Sequence, residues 1–296
     1  MTSPHHNLDP GYSLVLPPAG LQVPFVFNSP HSGTHYPAAF VASSRLDLNR
    51  LRRSEDTFVE ELFAMAPAHG AALMHARFPR AYVDLNREPY ELDPQMFDGP
   101  LPRHANTRSM RVAGGLGTIA RVVADAEPIY AGRIPVAEAL ARIETHYKPY
   151  HARLDAILAD ARARFGVSVL IDCHSMPSAR VGGDEHTKPD FVLGDRYGTS
   201  CAAALADLAH ETLSGLGYTV ARNKPYAGGF ITERYGVPGA ASHALQIEIN
   251  RGLYMNEARY TRARGFSWLR TDLVRLVERL VSIDLGHLRS PQIAAE

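Results

Sequence analysis

The sequence lacks several features that are common in proteins that carry disulfides, bind nucleic acids or span membranes. Its 296 residues include only two cysteines, Cys173 and Cys201, which are too few for a disulfide scaffold and are typical of a reducing cytoplasm. Lys and Arg total 31, as do Asp and Glu, so the basic excess of nucleic-acid-binding proteins is missing. No apolar run approaches the roughly 18–20 residues that span a bilayer. We therefore expect neither nucleic acid nor a membrane as a partner.

The first ten residues also lack the pattern of a signal peptide. They are polar, include His5, His6 and Asp9, and contain no apolar stretch. No repeat of fixed period and no low-complexity tract is present in the chain. These observations predict a cytoplasmic globular protein.

Apolar runs that alternate with helical patterns predict the fold class. Hydrophobic residues make up 45% of the chain, enough for a large core. We predict strands at 23–27, 72–75, 81–85, 167–171, 191–193, 218–220 and 244–249, and helices at 46–66, 135–164, 256–284 and in an alanine-rich segment ending near 213–215. This order indicates an α/β fold with three αβα layers around a mixed, mostly parallel sheet. The length fits a single domain over residues 1–296.

Two segments fall outside this alternation. Residues 1–20 contain four prolines and two glycines and predict an irregular lead-in. Residues 93–135 are rich in Pro, Gly, Arg and Asn, which indicates either a functional loop that acts as a lid or an inserted lobe. Within the helix at 135–164, Pro149 is expected to produce a kink or a split.

Polar clusters follow four of the predicted strands. In open α/β sheets, ligands bind beyond the carboxyl ends of the strands. Four such clusters at one rim therefore predict an active site. They are Asn28-Ser29-Pro30-His31-Ser32-Gly33, Asp84-Leu85-Asn86-Arg87, Asp172-Cys173-His174-Ser175 and Glu248-Ile249-Asn250-Arg251-Gly252.

His31 and His174 are the candidate metal ligands within these clusters. His31 lies in a Pro, Ser and Gly loop that directs its imidazole into a cleft, although a surface histidine would show the same pattern. His174 comes just after an apolar strand, where a structural histidine is the alternative. A catalytic zinc takes about three protein ligands and keeps one open position, so two histidines and one carboxylate would suit it. We predict a site for Zn²⁺ or another divalent metal.

The third ligand remains open between Glu55 and Asp56. Both lie in the predicted helix at 46–66. Adjacent helical residues point about 100° apart, so only one of the two would face the site. Either residue is also compatible with a solvated carboxylate on a helix surface.

Glu248 is a carboxylate in an otherwise apolar strand. Strand alternation places Gln246 and Glu248 on one face and Ile247 and Ile249 on the other. Buried carboxylates are rare unless they are paired, so a salt bridge to Arg251 is the structural alternative. We predict that Glu248 is the catalytic general base and acid beside the metal.

Several arginines near the same clusters indicate the charge of the substrate. A guanidinium group binds a carboxylate through two parallel hydrogen bonds, so several arginines at one rim predict a substrate with more than one carboxylate. Each arginine alone is also compatible with an ordinary surface charge. Arg87 and Arg251 each follow an asparagine at a strand end and are the leading candidates. The predicted substrate-binding residues are Asn86, Arg87, Asn250, Arg251, Arg80 and Arg108.

The ordered set of motifs resembles the N-formylglutamate amidohydrolase family. The resemblance runs from about Phe25 to Glu257 and rests on six pieces in order. They are Asn28-Ser29-Pro30-His31-Ser32-Gly33, Ser54-Glu55-Asp56 with Val59 and Leu62, Tyr82-Val83-Asp84-Leu85-Asn86-Arg87, Asp172-Cys173-His174-Ser175, Gly228-Gly229-Phe230-Ile231-Thr232 and Gln246-Ile247-Glu248-Ile249-Asn250-Arg251.

The resemblance implies a function and roles for individual residues. It implies a metal-dependent hydrolase that converts N-formyl-L-glutamate, or a closely related N-acyl acidic amino acid, to formate and L-glutamate in histidine degradation. It implies a fold similar to zinc-dependent exopeptidases, with His31 and His174 as ligands and Glu248 as the base. Asp56 matches the family's acidic position better than Glu55, because Val59 follows it three residues later.

The chain departs from the family pattern at two places, and two other functions remain as alternatives. Glu55-Asp56-Thr57-Phe58 stands where the family reads Thr-Asp-Trp-His, and Arg87-Glu88-Pro89 stands where it reads Arg-Pro-Pro. One alternative is a zinc amidase or carboxypeptidase that acts on peptides or cell-wall fragments. The other is a non-catalytic carboxylate-binding relative.

Overall fold

The computed structural model describes residues 11–178 and 189–289. The strands are β1 (Tyr12–Val15), β2 (Phe25–Ser29), β3 (Ala72–Ala76), β4 (Phe97–Asp98), β5 (Ile134–Pro135), β6 (Ser168–Met176), β7 (Phe191–Gly194), β8 (Val220–Arg222), β9 (Ser242–Asn250), β10 (Met255–Asn256) and β11 (Thr261–Arg262). The α-helices are α1 (Ala38–Ser43), α2 (Leu48–Leu51), α3 (Val59–Leu62), α4 (Met110–Ala113), α5 (Val136–Arg142), α6 (Lys148–Phe165), α7 (Ala203–Gly215), α8 (Phe230–Tyr235) and α9 (Gly265–Val281). Among these helices, none is both long enough and apolar enough to cross a membrane.

Within the described residues, seven strands form one mixed sheet in the order β1-β3-β2-β6-β9-β7-β8. The central strands β3, β2, β6 and β9 are parallel, whereas β1 pairs antiparallel with β3 and β7 pairs antiparallel with β9. The predicted mixed, mostly parallel sheet is therefore confirmed. Because parallel strands end at the same edge, the chain segments that leave β2, β6 and β9 meet there.

Apolar side chains cover the sheet on both faces, and this produces the three layers. Leu170 of β6 packs on the face that carries α6, with Tyr150 and Leu154. Its neighbours Val169 and Ile171 point to the opposite face, which carries α7 and α9. A strand buried on both faces needs a continuous apolar run, which is why the sequence pattern identified β6. The three-layer αβα prediction is confirmed.

The predicted helix at 46–66 is wrong as a single element. The chain forms α2, a 3₁₀ turn at Arg52–Ser54, α3 and a second 3₁₀ turn at Ala66–His69. Glu55 has an extended backbone and Phe58 a left-handed one, with φ of 68°. The backbone N–H of Asp56 donates to the carbonyl of His31 at 3.0 Å instead of to a helical partner. Contact with the His31 loop thus outweighs helical periodicity here.

Other predicted bounds also need correction. Residues 81–85 are not a strand, because the Asp84 N–H donates to the carbonyl of Thr118 instead of a neighbouring strand. The last helix begins at Gly265 and not at 256, since β10 and β11 form a short hairpin before it. In the predicted lead-in at 1–20, residues 1–10 lie outside the described residues, and residues 12–15 form the edge strand β1. The predicted edge strand at 218–220 is β8, Val220–Arg222.

Two helical predictions hold with added detail. The stretch at 135–164 is helical as α5 and α6, joined by a π-helical turn at Ile143–Tyr147. This turn precedes Pro149, which has no N–H and lies in the first turn of α6. The alanine-rich helix is α7, which ends at Gly215.

The segment at 93–135 has little regular structure of its own. It contains β4, α4, β5 and short 3₁₀ turns. Its backbone is tied to the region after β3, since Leu116 and Thr118 carbonyls accept hydrogen bonds from Arg87 and Asp84. The segment thereby forms one side of a cleft above the sheet edge.

Candidate active site

Three strands bring the predicted catalytic and ligand residues to one edge of the sheet. His174 of β6 lies beside Glu248 of β9 in the parallel register, and Asn28 of β2 lies beside Asp172 of β6. Residues in register on parallel strands point to the same face. His174 and Glu248 therefore face the same cleft. His174 lies within β6, which extends to Met176, and not after the strand as predicted.

His31 follows β2 in a tight loop and is 1% exposed, so it is not a surface histidine. Its Nε2 is 2.8 Å from Asp84 Oδ1, which is the distance of a charge-assisted hydrogen bond. Its Nδ1 is buried without a hydrogen-bond partner among the described residues and lies 3.5 Å from Asp56 Oδ2. A side chain at Gly33 would come within 2.2 Å of the Phe78 carbonyl, which explains the glycine in this loop.

His174 is oriented in the same way as His31. Its Nδ1 is 2.9 Å from Asp56 Oδ2, and its Nε2 is 2.9 Å from Asp172 Oδ2. Asp172 is held in turn by Asn28, whose Nδ2 donates to Asp172 Oδ1 at 2.8 Å. The Tyr150 hydroxyl donates to Asn28 Oδ1 at 2.5 Å and fixes the orientation of that amide. Each histidine thus has one ring nitrogen bound to a supporting carboxylate and the other turned towards Asp56.

Asp56, and not Glu55, joins the two histidines. Its Oδ1 accepts hydrogen bonds from Ser175 Oγ at 3.2 Å and Arg251 Nη2 at 3.1 Å, which leaves Oδ2 facing both imidazoles. Burial alone would raise the pKa of Asp56, but the hydrogen bond with His174 and the nearby imidazole of His31 hold that pKa well below its usual range. Glu55 is directed away, because its carboxylate accepts from the Tyr36 hydroxyl at 2.7 Å and from Thr57 and Arg52.

The three converging atoms fit a divalent metal ion. His31, Asp56 and His174 are buried, and their ligand atoms all lie within 4.8 Å of one another. Two imidazole nitrogens and one carboxylate oxygen are ligands that Zn²⁺ prefers. Metal-binding histidines commonly donate their other N–H to a carboxylate, and Asp84 and Asp172 are carboxylates in that position beside Nε2 of His31 and His174. The unpartnered Nδ1 of His31 is the further sign that the group is built for a cation.

Glu248 lies on the floor of the cleft beside this group. Gln246 Nε2 donates to its Oε1 at 2.8 Å, and within the described residues Glu248 forms no ion pair with Arg251. Burial raises the pKa of Glu248 to about 7, an effect that His174 opposes and the carboxylate of Asp56 reinforces. A carboxylate with a pKa near neutrality is suited to accept and return a proton.

The arginines of the cleft differ in how many of their donors are available. The cleft has a volume of about 1020 Å³, and Arg80, Arg87 and Arg251 line it. Arg251 uses Nε, Nη1 and Nη2 on Ser175, the Arg53 carbonyl and Asp56. Arg87 donates to the carbonyls of Leu116 and Asn86. Arg80 makes one described contact, Nη2 to Asp84 Oδ2 at 2.8 Å, and its side chain is 26% exposed.

The other predicted substrate-binding residues have different positions. Asn86 accepts from the Ile231 N–H at 2.8 Å, and its Nδ2 lies 3.3 Å from His174 Nε2. Asn250 accepts from the Gly252 N–H at the start of a 3₁₀ turn and does not line the cleft. Arg108 is exposed in the segment at 93–135 and also lies outside the cleft lining.

Sequence reasoning missed three residues of the site. Asp84 and Asp172 were part of recognised polar clusters, but their orienting role for the histidines was not predicted. Asp172 comes two residues before His174, so it lies on the same strand face, and this spacing could have predicted a contact between the two side chains. Tyr226 lines the cleft and carries no motif that would have identified it.

The chain is similar to known proteins over most of its length. The N-formylglutamate amidohydrolase family model matches residues 23–255. N-formylglutamate deformylases of Pseudomonas aeruginosa and Pseudomonas putida are 32% and 30% identical over 239 residues, which is 80% of this chain and 84% and 83% of those proteins. A crystal structure of N-formylglutamate amidohydrolase from Ralstonia eutropha JMP134 has a TM-score of 0.86 at 40% identity, and the match covers 92% of this chain and 98% of that one. The chain therefore belongs to the N-formylglutamate amidohydrolase family.

Proposed function

We propose that the protein is a metal-dependent amidohydrolase that cleaves N-formyl-L-glutamate, or a closely related N-acyl acidic amino acid, to the free acid and L-glutamate. The observation that carries the proposal is the convergence of His31 Nδ1, His174 Nδ1 and Asp56 Oδ2 beside Glu248. Membership of the amidohydrolase family supports the amide bond as the target.

Zn²⁺ or another divalent metal held by His31, Asp56 and His174 would polarise the scissile carbonyl and lower the pKa of the attacking water. With the metal bound, Asp84 and Asp172 would accept the Nε2–H of the two histidines, and each Nδ1 would be the ligand atom.

Glu248 supplies the proton transfers in this proposal. The Gln246 amide occupies Oε1, so Oε2 is the atom that takes a proton from the attacking water. The same oxygen then delivers the proton to the leaving amine nitrogen as the C–N bond breaks. A group that first accepts and then donates works best with a pKa close to the working pH, which agrees with the pKa of about 7 for Glu248.

Arg80 is the arginine best placed to bind a substrate carboxylate. It is held by Asp84 through Nη2, lines the cleft and forms no other hydrogen bond within the described residues, whereas the donors of Arg251 are engaged. Arg87 also lies beside Asp84, with its Nη2 3.6 Å from Oδ2, and its guanidinium adds a second positive charge to this side of the cleft. An acidic amino acid therefore fits this side of the cleft better than a neutral one.

The proposal is tested by formate release from N-formyl-L-glutamate with the wild type and the Glu248→Gln variant. Because Gln has nearly the same shape but cannot accept the proton, we expect kcat to fall by about 10²–10⁴. Glu257→Gln is the matched control. Glu257 also lines the cleft, but its carboxylate accepts a hydrogen bond from the Ser178 N–H and, within the described residues, bonds to none of the three proposed metal ligands. A wild type that contains metal but turns over no N-acyl amino acid would contradict the enzyme assignment.

N-acetyl-L-glutamate and N-formyl-L-leucine, assayed with the wild type, distinguish the substrate preferences. Higher kcat/KM for the formyl acidic compound supports a small acidic substrate. Faster cleavage of the neutral compound would contradict the role given to Arg80.

A further inference from the structure

Tyr226 lies in the loop between β8 and α8, over the edge of the sheet. It lines the same cleft as Glu248, His174 and Arg80 and is 36% exposed. The notable property of this residue is its hydroxyl, because most other polar groups of the cleft are bound to protein partners.

The loop that carries Tyr226 is fixed to its surroundings by hydrogen bonds of the residues just after Tyr226. The Ala227 carbonyl accepts from the Arg196 N–H at 2.8 Å, and the Gly229 N–H donates to Gln246 Oε1 at 2.9 Å. Gly228 has a φ of 117°, a conformation that favours glycine. Since Gln246 also donates to Glu248, the loop and the predicted base share one anchoring side chain.

The hydroxyl of Tyr226 has no hydrogen-bond partner in the part of the chain that the structure describes. The other tyrosine of the cleft, Tyr260, donates its hydroxyl to the Asn49 carbonyl at 2.8 Å. The donors of Arg251 are bound to Asp56, Ser175 and a carbonyl. Tyr226 is therefore a neutral donor that remains available to a bound molecule.

Tyr226 shares the cleft with Glu248 and His174, and its electrostatic surroundings keep its phenol protonated. Its pKa is raised from the ordinary value, first by burial and then by the negative charge of Glu248, while Arg251 and Arg80 act in the opposite direction. The phenol thus keeps its proton at neutral pH and can act only as a donor to an oxygen that gains negative charge.

We propose that Tyr226 is a further catalytic residue whose hydroxyl donates a hydrogen bond to the carbonyl oxygen of the scissile amide as water adds to the carbon. This role rests on the proposed function of the site. No proton is transferred in the step: the phenol O–H bond stays intact, and the hydrogen bond strengthens as the oxygen becomes an anion.

The physical reason is that an oxyanion donor is useful only if it is free in the resting site. A group already bound to a carboxylate, as Arg251 is to Asp56, would have to break that contact during the reaction. A neutral phenol does not attract an anion in the ground state as strongly as a guanidinium does. It therefore stabilises the transition state more than the bound substrate, which is the condition for an effect on kcat.

Steady-state kinetics of formate release by Tyr226→Phe test the proposal. Loss of one oxyanion donor costs about 10²–10³ in kcat, and we expect that decrease with KM changed by less than about threefold. Metal content and the urea unfolding midpoint should equal those of the wild type, because the hydroxyl forms no hydrogen bond with any residue that the structure describes. Tyr260→Phe is the matched control and should keep kcat close to wild type, although it loses the bond to Asn49.

Three other results would overturn the assignment. An unchanged kcat in Tyr226→Phe shows that the hydroxyl does not act in the transition state. A raised KM with unchanged kcat shows that it only binds substrate. If the wild type itself releases no formate, the proposed function of the site fails, and the role of Tyr226 fails with it.

Discussion

At the scale of single residues, the site depends on which nitrogen of each histidine carries the proton. In the metal-bound state that we propose, Asp84 and Asp172 would each accept from an Nε2–H, so that both Nδ1 atoms, which face Asp56, could bind the metal. A neutral imidazole can bind a metal only through its unprotonated nitrogen. The two supporting carboxylates therefore decide whether the group can bind a cation at all.

Asp172→Asn tests this tautomer argument. Asn28 donates to Asp172 Oδ1, so an amide at 172 would keep its oxygen there and turn its NH₂ towards His174 Nε2. His174 would then accept at Nε2 and carry its proton on Nδ1, which removes a ligand. We expect metal affinity to fall by about 10–100-fold or more, measured by competition with a chromophoric chelator.

The control for this substitution is Asp93→Asn, which changes a buried carboxylate that pairs with Arg121 away from the metal group. It should leave the metal affinity within about twofold of the wild type. Equal affinity in Asp172→Asn and the wild type would mean that His174 binds through another arrangement.

Residue types were predictable from the sequence, but atom assignments were not. His31 and His174 stood out because they lie in polar clusters after apolar strands, and Glu248 because it is a carboxylate within an otherwise apolar strand. Whether Arg251 pairs with Glu248 or with Asp56 depends on how segments far apart in the sequence pack together. Residue spacing along the sequence does not determine that packing. Asp56 could be preferred over Glu55 only by family resemblance, since the helix expected there does not form.

At the scale of elements, α6 and the π-helical turn before it hold the irregular segment that carries Asp84, Asn86 and Arg87. The Tyr147 hydroxyl donates to the Arg87 carbonyl at 2.6 Å, and His151 Nε2 donates to the Leu85 carbonyl at 2.9 Å. Residues four apart lie on one face of a helix, so a single helical face supports the segment. These contacts replace the strand pairing that was predicted for 81–85.

His151 gives this support a pH dependence. Burial lowers its pKa from 6.5 to about 4, and its Nδ1 accepts from the Tyr235 hydroxyl at 2.8 Å. A histidine with a lowered pKa in the folded state contributes full stability above pH 6.5 and loses it as the pH falls towards 4. We expect the free energy of unfolding to lose about 2 kcal/mol from this residue between pH 7 and pH 5, measured by urea denaturation.

His151→Gln isolates the contribution of the imidazole, because an amide does not titrate in this range. The variant should be less stable than the wild type at pH 7, since it loses aromatic packing with Tyr147 and Tyr235. The difference between the two proteins should shrink as the pH falls. A constant difference from pH 7 to pH 5 would show that His151 is not held in its neutral form.

Elements were predictable where burial alone determines them. The central strands and α6 have continuous or periodic apolar residues, and the sequence pattern identified them. The 46–66 segment has helical spacing as well, yet the Asp56 N–H bonds to His31, and Phe58 takes a left-handed conformation. Tertiary contacts at a functional site therefore outweighed local propensity.

At the scale of the whole molecule, the site joins parts of the chain that are far apart in sequence. Asp56 contacts His174 across 118 residues, and His31 contacts Asp84 across 53. Parallel strand order makes this convergence predictable at the level of the sheet edge. The side of the cleft formed by residues 93–135 was not predictable, because few regular elements mark that segment.

Metal binding should therefore stabilise the entire fold. A metal that binds only the folded chain, at about 100 times its Kd, adds about 2.7 kcal/mol and raises the Tm of a 296-residue chain by about 4 °C. Calorimetry with and without a chelator measures this shift. Asp56→Asn should abolish it, since the amide turns NH₂ towards the histidines while Oδ1 keeps its contacts with Arg251 and Ser175. His69→Gln, a histidine outside the site, should keep it, and an equal shift in Asp56→Asn would place the metal elsewhere.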